Sequence, residues 1–379
     1  MEFAFTEEQM MVRESTENFL TDVSSSEQIR TSMETESGFD PATWQKLCEE
    51  LYLQAVTIPE EFGGMGLGFV ELAAIMEKMG QVLFCAPYFS SVCLATTAIN
   101  LAASHEQKIF IFDKLLAGET ATFAFTQSGS MYDSSAPVIF LEQEDHFVLN
   151  GEYRFVVDGH TADHFILSAQ TEQGEIALFY VPKHQEGLEV KWQPTMDQTR
   201  KLASITVNNC TVPKTALMLD RAESVVSKIK DIATILLAAE QVGGAQKVLD
   251  LAVDYTKERV QFNRPVASFQ SVKHKAADMM TKVEAARSGL YYAACIAEEA
   301  SQQKPLGAEL AEAASLIKAN CSEAFFQNAG DAIQLHGGVG FTWEYDVHLY
   351  FKRAKASEHF LGDATYHRER LATLILDSE

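Results

Sequence analysis

The chain has 379 residues, 47% of them hydrophobic, and sets 30 Lys and Arg against 53 Asp and Glu, for a formal charge of −23. That length supports a large core divided among two or three domains, while an acidic excess without a basic cluster opposes attraction to a phosphate backbone and argues against a nucleic-acid partner. Six cysteines, Cys48, Cys85, Cys93, Cys210, Cys295 and Cys321, show no C-x-x-C spacing, which predicts reduced, packed thiols in a cytoplasmic protein instead of a zinc site or a disulfide framework.

Met1-Glu2-Phe3-Ala4-Phe5 lacks the basic and apolar regions of a secretory leader, and no window approaches the roughly 20 apolar residues of a membrane span, so the expectation is a protein neither secreted nor membrane-spanning. Residues 1–120 read as a helical domain. It begins with the capping box Thr6-Glu7-Glu8-Gln9, in which the threonine hydroxyl and the glutamine side chain satisfy free amides reciprocally. Further helices are expected at about 41–51, 69–79 and 106–116. Between them the run 59–68, PEEFGGMGLG, is rich in glycine, but its spacing is not G-x-G-x-x-G and no strand precedes it, so it reads as a flexible connector.

At about residue 121 the period changes. Short β-branched or aromatic runs at 121–126, 137–141, 146–149, 165–168, 176–181 and 203–207 are separated by turn residues such as Asn150-Gly151 and Asp158-Gly159, predicting a small antiparallel barrel or sandwich over 121–221. From 222 to 379 the chain is helical again, at about 222–259, 269–302, 306–328 and in two shorter helices beyond Trp343, and a four-helix bundle is the natural closure. In the second of these, Phe269, Val272, Ala276, Met279, Val283, Ala286 and Leu290 alternate spacings of three and four, the seam of a helix–helix contact. Alanine-rich stripes on the long helices predict an oligomer.

Three stretches carry chemistry: Glu258-Arg259-Val260-Gln261-Phe262-Asn263-Arg264-Pro265 followed by Ser268-Phe269-Gln270; Gln334-Leu335-His336-Gly337-Gly338-Val339-Gly340-Phe341; and Phe123-Ala124-Phe125-Thr126-Gln127. With the order helices, small β domain, helical bundle, an α+β class, the chain resembles the acyl-CoA dehydrogenase family over essentially its whole length. The first stretch looks like that family's ER-x-x-F-G-x-P-x-x-x-F-Q segment, the second like its Q-x-x-G-G-x-G-Y/F loop, and the third stands at its flavin-facing strand. The resemblance implies FAD as cofactor, an acyl-CoA thioester as substrate, α,β-dehydrogenation as the reaction and an electron-transfer flavoprotein as acceptor. It further implies that Arg259, Gln261, Phe262, Phe269, Gln270, Gln334, Leu335, Gly337 and Gly338 reach FAD held mainly by a neighbouring subunit, with Asp363 also at the cofactor, while Phe125, Thr126, Phe155 and Val157 face the flavin ring.

The residue types make physical sense for that cofactor. A pyrophosphate needs a guanidinium and backbone amides, and an isoalloxazine ring needs flat apolar walls with a few edge hydrogen bonds. Gly337 and Gly338 allow close main-chain approach. Each also has a plain reading: Gly337-Gly338 as a helix C-cap turn, Arg259 as a surface charge, Phe262 as core.

In the resembled family a glutamate removes the α proton of the thioester, usually from a Glu-Gly-Thr sequence. The aligned residues here are Leu361-Gly362-Asp363, and leucine cannot abstract a proton. A second family position, on the first long helix of the C-terminal domain, is held here by Ala233-Thr234. Glu240 lies seven residues on, two turns and about 10 Å along the axis, and reads either as a displaced base or as a structural carboxylate. Asp363 and Glu358 are further candidates; His336 and His359 read as structural.

This double absence resembles the base-less subunits of bacterial heteromeric α2β2 acyl-CoA dehydrogenases, several of which act on bulky thioesters such as those of steroid side chains. It implies a tetramer in which a second chain supplies the base. Phe155 and Val157, where the family's flavin-flanking tryptophan and threonine stand, and Ser128-Gly129-Ser130-Met131 in place of its proline-glycine loop, point the same way. Two alternatives stay open: a homologue that supports assembly without redox chemistry, and an active homotetramer using a displaced carboxylate such as Glu240 or Asp363.

Overall fold

A computed structural model describes residues 6–125 and 136–376; Thr126 and the run 128–131 lie outside them. In chain order the elements are α1 (Glu7–Val23), α2 (Ser26–Glu34), α3 (Pro41–Lys46), α4 (Phe69–Gln81), α5 (Thr97–Ala102), α6 (His105–Leu116), β1 (Ala121–Ala124), β2 (Val138–Glu142), β3 (His146–Val157), β4 (His164–Gln170), β5 (Ile176–Pro182), β6 (Leu188–Gln193), β7 (Leu202–Pro213), β8 (Leu217–Leu219), α7 (Glu223–Glu258), the short pair β9 (Val260–Gln261) and β10 (Arg264–Pro265), α8 (Gln270–Ser301), α9 (Leu310–His336), α10 (Val347–His359) and α11 (Ala364–Leu376). They form two compact units, one of residues 1–30, 69–84 and 234–379, the other of 31–68 and 85–233. The segment 1–120 is thus divided between the two.

The first unit is helical. Thr6 caps α1 in the expected reciprocal box with Gln9. Within α7 the five residues from Ile235 to Ala239 are all fully buried, as a helix apolar on every side requires, and α8 to α11 pack in the same unit together with α1 and α4. The C-terminal helices thus form the expected bundle, with α1 and α4 in the same compact unit. Close crossing of α4 and α7 depends on two glycines: a Cβ at Gly80 would stand 2.1 Å from the Glu240 carbonyl oxygen, and one at Gly243 1.9 Å from that of Glu77. The α8 seam is buried from Met279 through Val283, Ala286 and Leu290, but Phe269, Val272 and Ala276 at its start are only partly covered. Helix α9 continues to His336, well past the expected end at 328, because nothing breaks it until Gly337, its C-cap at φ 66°.

The second unit carries an eight-stranded sheet in the order β6-β7-β3-β2-β4-β5-β8, with β1 beside β4. Its pairing is mixed, since β1 and β2 both run parallel to β4, and this corrects the all-antiparallel expectation. Asn150-Gly151 is not a hairpin turn. It lies inside the twelve-residue β3, at a register shift against β7 between Leu149 and Gly151, where Gly151 takes φ 147° and the Asn150 side chain accepts from the Asn209 amide at 2.7 Å. The local pair thus serves a β-bulge. Phe140, Phe147 and Phe179 interlock in the core with ring centroids 5.1 to 5.9 Å apart, and buried Tyr153 donates its hydroxyl to Ser168 O at 3.0 Å. The glycine-rich run 59–68 is not a loose connector: the amides of Met65, Gly66 and Leu67 bond back to Ala55, Ile58 and Val56. Strands β6 and β8, helix α2 and a π-type helical segment at Phe89–Thr96 were not evident from the pattern.

Candidate functional site

In the first unit, α7 stops at Glu258 and the chain turns through Arg259 into the β9–β10 pair, closed by the Val266 amide on Arg259 O at 2.8 Å. Every residue from Arg259 to Pro265 is exposed, and Phe262, at the tip with φ 52°, is 87% exposed. The Arg264 guanidinium lies over the Phe269 ring at 3.8 Å, Phe262 meets Phe269 edge-on at 6.4 Å, and Gln270 opens α8 exposed.

The second glycine loop is brought to the same end of the unit. Tyr255, four residues before Arg259, stacks on His336, one before Gly337, with centroids 4.3 Å apart and planes 19° from parallel. Buried His336 shares a 2.7 Å hydrogen bond between Nδ1 and Ala332 O, and burial pulls its pKa down, keeping it a neutral aromatic spacer. Gln334 is exposed and Leu335 half-buried. No heavy atom lies within 4 Å of a Cβ built at Gly337 or Gly338, so of the two only Gly337 is required by its backbone angle, and the space before both is open. Guanidiniums, an aromatic wall, side-chain amides and open main chain are a donor set that fits a pyrophosphate-bearing flavin approaching from outside this unit.

In the second unit, Phe125 is 5% exposed, packs on Phe123 at 4.9 Å and carries the Lys230 ammonium 5.1 Å over its ring. Phe155 sits at the second irregularity of β3 with φ 59°, its amide donating to Gln193 Oε1 at 3.3 Å. Val157 is 1% exposed and uses its carbonyl to accept from Thr122 Oγ1 at 2.7 Å. Phe155 thus has the more open side chain of the two.

The aligned base position lies in the turn between α10 and α11. Leu361 is 7% exposed and takes φ 59°, an angle that a branched side chain rarely accepts. Asp363 is spoken for as the cap of α11, its Oδ1 accepting from the Tyr366 amide at 2.8 Å. Glu358 accepts from Lys355 Nζ at 2.8 Å. Glu240, buried at 3%, receives Arg353 Nη1 at 3.0 Å, and Arg353 is 2% exposed. At the other family position Ala233 is fully buried.

Sequence reasoning passed over Arg353, the partner of Glu240, and two residues that bond to this turn, Lys318 and His367. Lys318 is fully buried, and burial draws its pKa down to about 7. His367 is 1% exposed and is drawn down to about 4, again chiefly by burial. The one available signal was a lone lysine in the apolar stripe of α9, Leu316-Ile317-Lys318-Ala319, which a solvated helix face does not call for.

A family model for "Acyl-CoA dehydrogenase, N-terminal domain" matches residues 6–119, and one for "Acyl-CoA dehydrogenase, C-terminal domain" matches residues 225–376. The acyl-CoA dehydrogenase IpdE2 of Mycolicibacterium smegmatis is 33% identical over 369 residues, spanning 97% of this chain and 98% of its own. Among solved structures, the ChsE4-ChsE5 complex from Mycobacterium tuberculosis is similar at TM-score 0.88 and 27% identity with both chains fully covered. An acyl-CoA dehydrogenase complexed with FAD from Bacillus anthracis is similar at TM-score 0.91 and 26% identity, over 98% of this chain and 67% of that one.

Proposed function

The chain belongs to the acyl-CoA dehydrogenase family, and on that premise we propose that it is one subunit of an FAD-dependent acyl-CoA dehydrogenase whose catalytic base comes from a second kind of chain. The reaction is α,β-dehydrogenation of a CoA thioester. When bound, FAD supplies the acceptor for the β hydride. Arg259 offers charge to its pyrophosphate, Phe262 and Phe269 an apolar wall, Gln270 and Gln334 amides, and Gly337 and Gly338 close main-chain approach. Their exposure in a single chain favours a cofactor shared across a subunit boundary.

The observation that carries the heteromeric reading is the state of the carboxylates. Leucine occupies the aligned position, Asp363 caps a helix, and Glu240 is committed to buried Arg353. For Glu240 to take a proton it would have to give up its charge against the buried Arg353 guanidinium, and breaking a buried ion pair costs about 3–5 kcal/mol. An α-proton abstraction needs a carboxylate free to change its charge, and among the described residues of this turn none is. A similar solved structure is a complex of two differently named chains, which agrees with a heteromer, an α2β2 tetramer by family analogy, that passes its electrons to an electron-transfer flavoprotein. The test is co-expression with each other acyl-CoA dehydrogenase chain of the source genome. The reading expects one co-purifying pair with flavin and turnover, and is refuted if this chain alone turns over a thioester.

A further inference from the structure

The turn that replaces the base is held from beneath by two buried side chains. His367 Nε2 donates to Leu361 O at 2.8 Å. Lys318 Nζ lies 2.8 Å from Gly362 O, and 2.9 to 3.0 Å from Ser322 Oγ, Ser357 O and Glu358 O. Consecutive carbonyls of one turn therefore each receive a donor, one from α11 and one from α9. Gly362 is locked in the same grip: its φ is 106° and a Cβ there would fall 2.5 Å from His367 Nε2. Gln241 extends the network to α7, donating to Ser322 Oγ and Ser357 Oγ at 3.1 Å each.

A buried ammonium is expensive, and a lysine used only to cap a helix would stop at the last carbonyls of α10. Lys318 reaches beyond them to the turn itself. Leu361 meanwhile holds a backbone angle that costs free energy and persists only where its surroundings over-determine it. His367 Nδ1 has no hydrogen-bond partner though buried, so the ring gives up one hydrogen bond to keep the other aimed at Leu361 O.

We propose that Lys318 and His367 are positioning residues that together fix the Leu361–Gly362 turn, so that the leucine stands as a rigid apolar wall where a carboxylate would otherwise project. This rests on the reading above for what the wall faces, but the anchoring itself does not. The anchor is a property of this chain alone.

Hydrogen–deuterium exchange of the purified full chain tests it, comparing wild type with Lys318→Met, His367→Leu and His367→Gln on peptides covering 357–368. Glutamine keeps an N–H able to reach Leu361 O; leucine does not. Exchange of the Gly362, Tyr366 and His367 amides is expected to accelerate about tenfold or more in Lys318→Met and His367→Leu, with α8 unchanged, and to return to within about threefold of wild type in His367→Gln. Unchanged rates, or an increase spread equally through α8, overturn the proposal. Should Lys318→Met fail to fold, the two His367 variants decide. In the co-expressed assembly with octanoyl-CoA as probe, His367→Leu is expected to raise KM about fivefold with kcat within about twofold, and His367→Gln to restore it. If no assembly turns over, the partner-base reading fails while the exchange result still judges the anchor.

Discussion

Glu240 Oε1 accepts from Arg353 Nη1 at 3.0 Å inside the first unit, with the two residues 3% and 2% exposed. Removing one member of such a buried pair costs about 3–5 kcal/mol because the other charge loses an opposite charge where water cannot replace it. Arg353→Met is therefore expected to lower the denaturation midpoint sharply or to prevent folding. Glu240→Gln is expected to destabilise while leaving turnover of the assembled enzyme within about threefold. Thermal melts and stopped-flow flavin reduction check both. A folded, flavin-bound Glu240→Gln protein without turnover would make Glu240 the base after all.

Phe262 and Arg259 are exposed, so truncating them removes little that holds the chain itself together. Phe262→Ala and Arg259→Ala are expected to leave the melting temperature of flavin-free protein within about 1 °C, since surface changes of this kind cost under about 0.5 kcal/mol. Flavin affinity of the assembly should fall about tenfold or more for Arg259→Ala, the scale of a lost charge-assisted hydrogen bond. The ratio of flavin to protein absorbance after dialysis measures it.

Gly243 is expected to be intolerant. A Cβ there would stand 1.9 Å from the Glu77 carbonyl oxygen, and α4 would have to withdraw from α7 to admit it. Gly243→Ala should destabilise by about 1–3 kcal/mol or more, whereas Gly338→Ala, which meets nothing within 4 Å, should leave stability unchanged. Urea titration of the two variants separates them.

His367 gives the stability a pH dependence whose sign follows from its lowered pKa of about 4 against an ordinary 6.5. Below pH 6.5 the unfolded chain takes up a proton that the folded chain refuses. Stability present above pH 6.5 is therefore lost as pH falls towards 4, by about 3 kcal/mol in total. The neighbouring charges act in both directions: Lys318 and Arg370 press the pKa down while Asp363 lifts it. The contribution of Lys318, whose pKa of about 7 compares with an ordinary 10.5, changes chiefly between pH 7 and 10.5, above this window. His367→Gln should lose less stability than wild type between pH 7 and 4 by that amount, measured as unfolding free energy at each pH.

Much of the fold was legible because it rests on local pattern. The capping box at Thr6, the helix α7 and the short apolar runs of β4 and β5 are each set by residues within a few positions of one another. Asn150-Gly151 misled for the same reason: the pair favours a positive φ, but whether that angle makes a hairpin or a bulge is decided by β7, more than fifty residues away in sequence. That a leucine stands before Gly362 was readable directly from the sequence. Lys318, His367 and Arg353 were not, since their partners lie on different helices and no periodicity records which carbonyl a buried donor will meet. His336 was read as structural, and its stacking on Tyr255 supplies the contact.

The most direct measurement is an anaerobic titration of the purified chain alone, reconstituted with FAD, with butyryl-, octanoyl- and 3-phenylpropanoyl-CoA while the oxidised-flavin absorbance is followed, then repeated with its co-purifying partner. The account predicts that flavin bound by this chain alone keeps its absorbance with every thioester, and that the pair bleaches with at least one. Bleaching by the single chain would place flavin, acyl site and base together in it, and would contradict the claim that its base position is vacant.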